Sequence, residues 1–170
     1  MHMQNSRKIA LLALFTAFAV MLSYVETFIP VAGIPGVKLG LANFAVIIAM
    51  YFLGYREALI VNVIRIIIIG AFFGNLFSIC FSLAGAVISF IVMILLKCTN
   101  KVSIVTVAAA GGVFHNVGQI VVAAFVVDTY SIFTYIPVLI LSGIITGAVI
   151  GMLSNILYKR TKKIFDRMGE

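Results

Sequence analysis

Six apolar runs, parted by short polar connectors, occupy nearly all of this 170-residue chain, at 9–29, 40–53, 58–73, 76–96, 102–127 and 132–158. Most of them reach or exceed the ~20 residues that an α-helix needs to cross a hydrocarbon layer of ~30 Å; the second and third are shorter. A water-soluble domain carries ~25% charged residues on its surface. Here 64% of residues are apolar and only 10% are charged, too few to clothe such a domain. The pattern predicts an all-α, polytopic membrane protein, a single transmembrane domain over residues 1–170. Its six transmembrane helices are expected near 7–29, 40–53, 56–73, 75–97, 102–127 and 132–158, with a basic C-terminal tail at 159–170. That length leaves no room for a separate soluble catalytic domain.

The connectors fix the count. Three are short: Gly54-Tyr55-Arg56-Glu57, Gly74-Asn75 and residues 128–131. A fourth, residues 97–101, carries Lys97 and Lys101. The longest runs from Pro30 to Leu39 and holds Pro30, Pro35, Gly33 and Gly36, a composition that breaks helices and forms a loop. Phe73-Gly74-Asn75 marks a turn, and without it the third and fourth runs would merge into a segment too long for one crossing.

Lys and Arg set the orientation. With the N-terminus inside, the inner connectors and tails hold Arg7, Lys8, Arg56, Lys97, Lys101, Lys159, Arg160, Lys162, Lys163 and Arg167, while the outer connectors hold Lys38 alone. This positive-inside bias predicts a multi-pass protein of the plasma membrane with both termini cytoplasmic. The net charge of +7 then reads as topology and contact with anionic lipid headgroups, not as a nucleic-acid footprint. Arg7-Lys8 before an apolar run resembles a secretion signal. The run exceeds a typical signal core, and no small-x-small cleavage site closes it before Glu26, so it is read as a permanent helix. Cys80 and Cys98 fall toward opposite ends of one predicted helix and cannot pair.

Polar side chains inside the apolar runs are the candidate site. Arg65 stands in the middle of Val61-Asn62-Val63-Ile64-Arg65-Ile66-Ile67. A charge at the bilayer centre costs ~2.5–3.5 kcal/mol on insertion scales, so it must face the protein interior, water or a partner. Asn62 shares its face at i, i+3, and Glu57 lies two turns earlier. Two readings stand: an internal Arg–Glu or Arg–Asn clamp, and an anion-binding group on a substrate path. The fifth run holds Gly111-Gly112-Val113-Phe114-His115-Asn116-Val117-Gly118-Gln119. His115 and Gln119 share a face, and the glycines permit close approach of a helix or ligand. Interhelical hydrogen bonding would explain one such polar residue; His115, Asn116 and Gln119 together favour a pocket. Asn75, Ser78 and Ser82 form a stripe at i, i+3 and i+7, although each serine could instead bond a carbonyl of its own helix. With Lys38 and Asn43 these groups are expected to converge on a cavity open to the outside. No His, Cys or carboxylate set has metal-ligand spacing, so neither metal nor cofactor is expected. Ala10, Ala13 and Ala17 form a small-residue stripe suited to internal packing or to docking another membrane subunit.

These parts resemble the substrate-binding S component of energy-coupling factor (ECF) importers: six helices, an alanine-rich first helix, a Pro/Gly loop after it, and polar residues in the outer halves of later helices. More narrowly, Gly40-Leu41-Ala42-Asn43, Phe81-Ser82-Leu83-Ala84-Gly85 and His115-Asn116-Val117-Gly118-Gln119 resemble the Gx transporter family, whose members often carry the label heptaprenyl diphosphate synthase component I. The resemblance spans nearly the whole chain and implies a membrane subunit that captures a small anionic or polar-headed molecule from outside. It further implies a loop at 30–39 acting as a lid, an alanine face on the first helix contacting a transmembrane coupling protein, and ATP hydrolysis by separate ATPase subunits. The chain itself has no GxxxxGK[ST] loop. The prenyl label suggests a second class, a non-catalytic membrane subunit beside an enzyme of polyprenyl diphosphate or quinone synthesis. The five acidic residues, Glu26, Glu57, Asp128, Asp166 and Glu170, form no Asp-rich cluster of the kind that holds Mg²⁺ around a diphosphate. A third class is a structural subunit of a redox assembly. None of these readings makes the chain an enzyme by itself.

Overall fold

The computed structural model describes residues 5–28, 40–128 and 130–168, and these fold into six α-helices and one short 3-10 helix. The helices are α1 (Asn5–Thr27), α2 (Leu41–Phe52), α3 (Tyr55–Phe73), α4 (Leu76–Cys98), α5 (Ile104–Val127) and α6 (Ile136–Met168), with the 3-10 turn at Tyr130–Tyr135. The chain is all-helical among the described residues, and α1, α4, α5 and α6 are long and apolar enough to cross a membrane. α2 is a shorter apolar helix. α3, at 19 residues, is set apart from these by its three charged residues, Arg56, Glu57 and Arg65.

Local chemistry sets the boundaries. Gly40 takes a left-handed conformation (φ 72°) and Leu41 then starts α2. Between α2 and α3 the chain turns within two residues. Gly54, at φ 115°, takes a conformation that a Cβ would strain. The Asn75 side chain accepts the Ser78 N–H at 2.8 Å to begin α4, and Ser103 accepts the Thr106 N–H at 3.2 Å to begin α5. α6 then runs without a break through the basic stretch that starts at Lys159.

Burial divides the helices by role. α2 is enclosed on most sides: Ala42, Ala45, Val46, Ile47, Ile48, Ala49 and Met50 are all buried, and the helix packs on α1, α3 and α6. An evenly apolar helix belongs in such a central place. The outer helices do the opposite and turn large side chains outward, among them Phe72, Leu76 and Phe125, each more than 70% exposed. A soluble monomer does not tolerate so much apolar surface, whereas lipid tails solvate it without penalty.

α5 and α6 form the closest seam. Gly143, Gly147 and Gly151 recur every fourth residue along α6 and face α5. A Cβ built on Gly112 would sit 2.6 Å from the Gly143 carbonyl oxygen, and one on Gly143 would sit 2.8 Å from the Val113 backbone nitrogen. Only hydrogen fits there. Membrane helices associate largely by such backbone-to-backbone packing, because lipid offers no hydrophobic drive between them.

A second polar cluster ties the opposite end of the bundle. Lys97 donates to the Met50 carbonyl at 2.6 Å and lies over the rings of Tyr51 and Tyr55, 4.4 and 4.6 Å from their centroids. Tyr158 of α6 packs edge-on to Tyr51 and tilted against Phe52. Lys8 of α1 pairs with Glu57 of α3 at this same end.

Candidate polar pocket around Arg65

Arg65 is held from three helices. Its Nε donates to Asn62 Oδ1 at 3.0 Å within α3, one Nη donates to Asn43 Oδ1 of α2 at 3.1 Å, and the other reaches Ser23 Oγ of α1 at 3.4 Å. Of the internal clamps that the sequence left open, Asn62 supplies one. Glu57 does not reach Arg65, because it sits at the other end of α3 and pairs with Lys8. The carboxylate that acts electrostatically on Arg65 is Glu26, in the last turn of α1. Glu26 Oε1 accepts the backbone N–H of Gly40, so it also fixes the start of α2.

Around this pair lie two adjoining hollows, both partly open to the surface. Glu26, Arg65 and Ser82 line both. The first adds Asn43 and Gly40 from the α2 side, Gly112, His115 and Asn116 from α5, and Thr146 from α6. The second adds Ser23, Thr27 and Ser78 with Ile66, Ile69 and Gly70. All six helices thus send at least one residue to this polar centre.

The polar residues singled out from sequence fall into four groups. Asn43, Arg65, Ser78, Ser82, His115 and Asn116 come together at the hollows. Asn62 stands one layer back: it is buried and orients Arg65. Asn75 and Gln119 lie apart from the linings. Asn75 uses its side chain to cap α4, and the Gln119 stem packs where a Cβ on Gly85 would lie, 2.7 Å away. Lys38 and the rest of the 30–39 loop lie outside the described residues. Asn116 lines the first hollow and also donates to the Leu139 carbonyl of α6 at 2.9 Å, so it ties α5 to α6 as well. Ala10, Ala13 and Ala17 all lie on the exposed face of α1.

Glu26, Ser23, Thr27 and Thr146 were not among the sequence candidates. The signal was present in part: Ser23, Glu26 and Thr27, at i, i+3 and i+4, form one polar face at the end of an apolar helix. Thr146 gave no such signal, since it also bonds its own helix at the Ser142 carbonyl. Among the described residues no three His, Cys, Asp or Glu side chains come close enough to hold a metal ion. The arrangement can bind through charge and hydrogen bonds, with a fixed cation, a carboxylate, two carboxamides and hydroxyls on one cavity.

A family model described as heptaprenyl diphosphate synthase component I matches residues 15–157. The chain belongs to that family. No curated protein and no solved structure matches it. All of the pocket residues described above lie inside the segment matched by the component I family, and Lys8 and the basic end of α6 lie outside it.

Proposed function

We propose that this chain is a membrane subunit that captures a small polar-headed molecule in the pocket around Arg65, as the S component of an ECF-type importer does. The observation that carries the reading is the convergence of all six helices on one hydrogen-bonded guanidinium that lines two adjoining hollows. Buried charge in a membrane bundle is costly and marks substrate paths. In this reading all six helices cross the plasma membrane with both termini cytoplasmic. The pocket end then faces outward and the Lys97 end inward, in keeping with the excess of Lys and Arg there. Lys38 and the 30–39 loop would close over the pocket from outside. The exposed Ala10, Ala13 and Ala17 would receive a transmembrane coupling protein, with ATP hydrolysed by partner ATPases.

The test is native mass spectrometry of the detergent-purified chain, with identification of any small molecule that co-purifies. A defined metabolite, lost in His115→Ala and Arg65→Ala, is the expected result. An empty chain that instead retains a second polypeptide would overturn it.

The family description supports a second reading, a non-catalytic subunit that anchors or serves a polyprenyl diphosphate synthase. Prenyl elongation uses carboxylate-held Mg²⁺ around a diphosphate. The described residues bring no such set together, so the chemistry in this reading belongs to a partner. Mg²⁺-dependent elongation that needs both this chain and a soluble partner would favour it over capture.

A further inference from the structure

Glu26 changes what the pocket can hold. The sequence candidates, Arg65, Lys38 and His115, pointed to an anion. Among the described residues the centre instead carries one guanidinium and one carboxylate, and both line both hollows. They interact electrostatically, yet they do not form a direct ion pair. The three N–H groups of Arg65 that are engaged go to neutral oxygens, on Asn62, Asn43 and Ser23. Neutral acceptors fix a guanidinium in place without cancelling its charge. Arginine has five N–H donors, so further ones remain for a ligand. Glu26 is likewise half engaged: Oε1 takes the Gly40 N–H, and Oε2 makes no hydrogen bond among the described residues.

We infer that the ligand of this pocket is a zwitterion of amino-acid type, with an acidic group for Arg65 and an ammonium group for Glu26. The inference rests on the capture reading proposed above and specifies its cargo. A ligand with only negative charge would bring a second anion beside Glu26, and one with only positive charge would meet Arg65. A molecule bearing both satisfies each without leaving a like charge opposed in a site of low dielectric, where opposed charges weigh most. Ser82, which lines both hollows with Glu26 and Arg65, adds a hydroxyl to the same site.

The experiment is thermal unfolding of the detergent-purified chain with three pools of compounds: α-amino acids, the amines that lack their carboxylates, and the acids that lack their amino groups. At least one amino acid should stabilise the chain, and its amine and acid analogues should bind about tenfold or more weakly, as expected for a site whose paired groups are left unmet. Glu26→Gln should weaken the amino acid while bringing the acid analogue close to it. Arg65→Gln should do the same for the amine analogue. Equal binding of a single-charge analogue to the wild-type chain would overturn the inference, as would unchanged discrimination in Glu26→Gln. A co-purifying metabolite of one charge sign would overturn it too while leaving the capture reading intact. No stabilisation by any pool, with nothing co-purified, would overturn both.

Discussion

α1 and α6 each carry a stripe of small residues, and the two stripes meet different fates. On α6, Gly143, Gly147 and Gly151 press against the α5 backbone so closely that no Cβ fits. On α1, Ala10, Ala13 and Ala17 face outward and touch little of their own chain. Both patterns permit close helix approach. Only the first is already used within the fold. Small-residue spacing therefore tells how near a partner can come, and the rest of the bundle decides whether that partner is internal. Glycine is the stronger statement of the two, because it allows contact between main chains where alanine still holds them apart by a methyl group.

The largest expected effect comes from breaking the α6 stripe. Gly143→Val places a branched side chain where the Val113 backbone lies 2.8 Å from the Cβ position. It should destabilise the detergent-purified chain by about 3 kcal/mol, the upper part of the usual cost of overpacking, read as a lowered unfolding midpoint. Lys97→Met comes next. It removes the bond to the Met50 carbonyl and the contact with two tyrosine rings, and should cost about 1 kcal/mol by the same assay. Asn116→Ala loosens the α5–α6 seam by deleting the bond to Leu139, for roughly 0.6 kcal/mol, the usual worth of an interhelical hydrogen bond in membrane proteins. The smallest effect belongs to the α1 stripe. Ala13→Leu should leave the isolated chain within about 0.5 kcal/mol of wild type, as exposed substitutions do. If the stripe is a docking face, the same variant should lose any membrane partner that co-purifies with the wild-type chain. A large loss of stability in Ala13→Leu would mean that the two stripes do the same job.

Legibility in the sequence followed the contrast between a residue and its neighbours. Arg65 was plain because a charge amid isoleucines has no inexpensive alternative to the interior. Asn43, Ser82, His115 and Asn116 were readable as polar groups inside apolar runs. Glu26 escaped for the opposite reason. An acid at the end of an apolar helix is ordinary at a membrane boundary, and only its contact with Gly40 and its place beside Arg65 make it part of the site. Glu57 drew attention through its spacing from Arg65, but a helix alone cannot say that Lys8, 49 positions earlier, will claim it. The Gly143-x-x-x-Gly147-x-x-x-Gly151 repeat was fully visible and still silent about its partner, since α5 offers its backbone rather than any marked side chain. Asn75 shows the limit of reading stripes: its spacing with Ser78 and Ser82 is right, and the helix start consumes it.

α2 is 12 residues long, about 18 Å at 1.5 Å per residue. It is well short of the ~30 Å apolar layer. Set within such a layer, its first amide proton donors and last carbonyls would be left inside a poor solvent. The fold answers with a charge at each end, and the signs are the right ones. The Glu26 carboxylate meets the Gly40 N–H before the first turn, where a helix carries partial positive charge, and the Lys97 ammonium meets the Met50 carbonyl near the last, where it carries partial negative charge. The central helix is thus a macrodipole held between two counterions, one of which is also half of the pocket. A cationic group bound at Glu26 would compete with the N-terminal end of that dipole, so a ligand of the proposed kind would alter the electrostatic balance along α2.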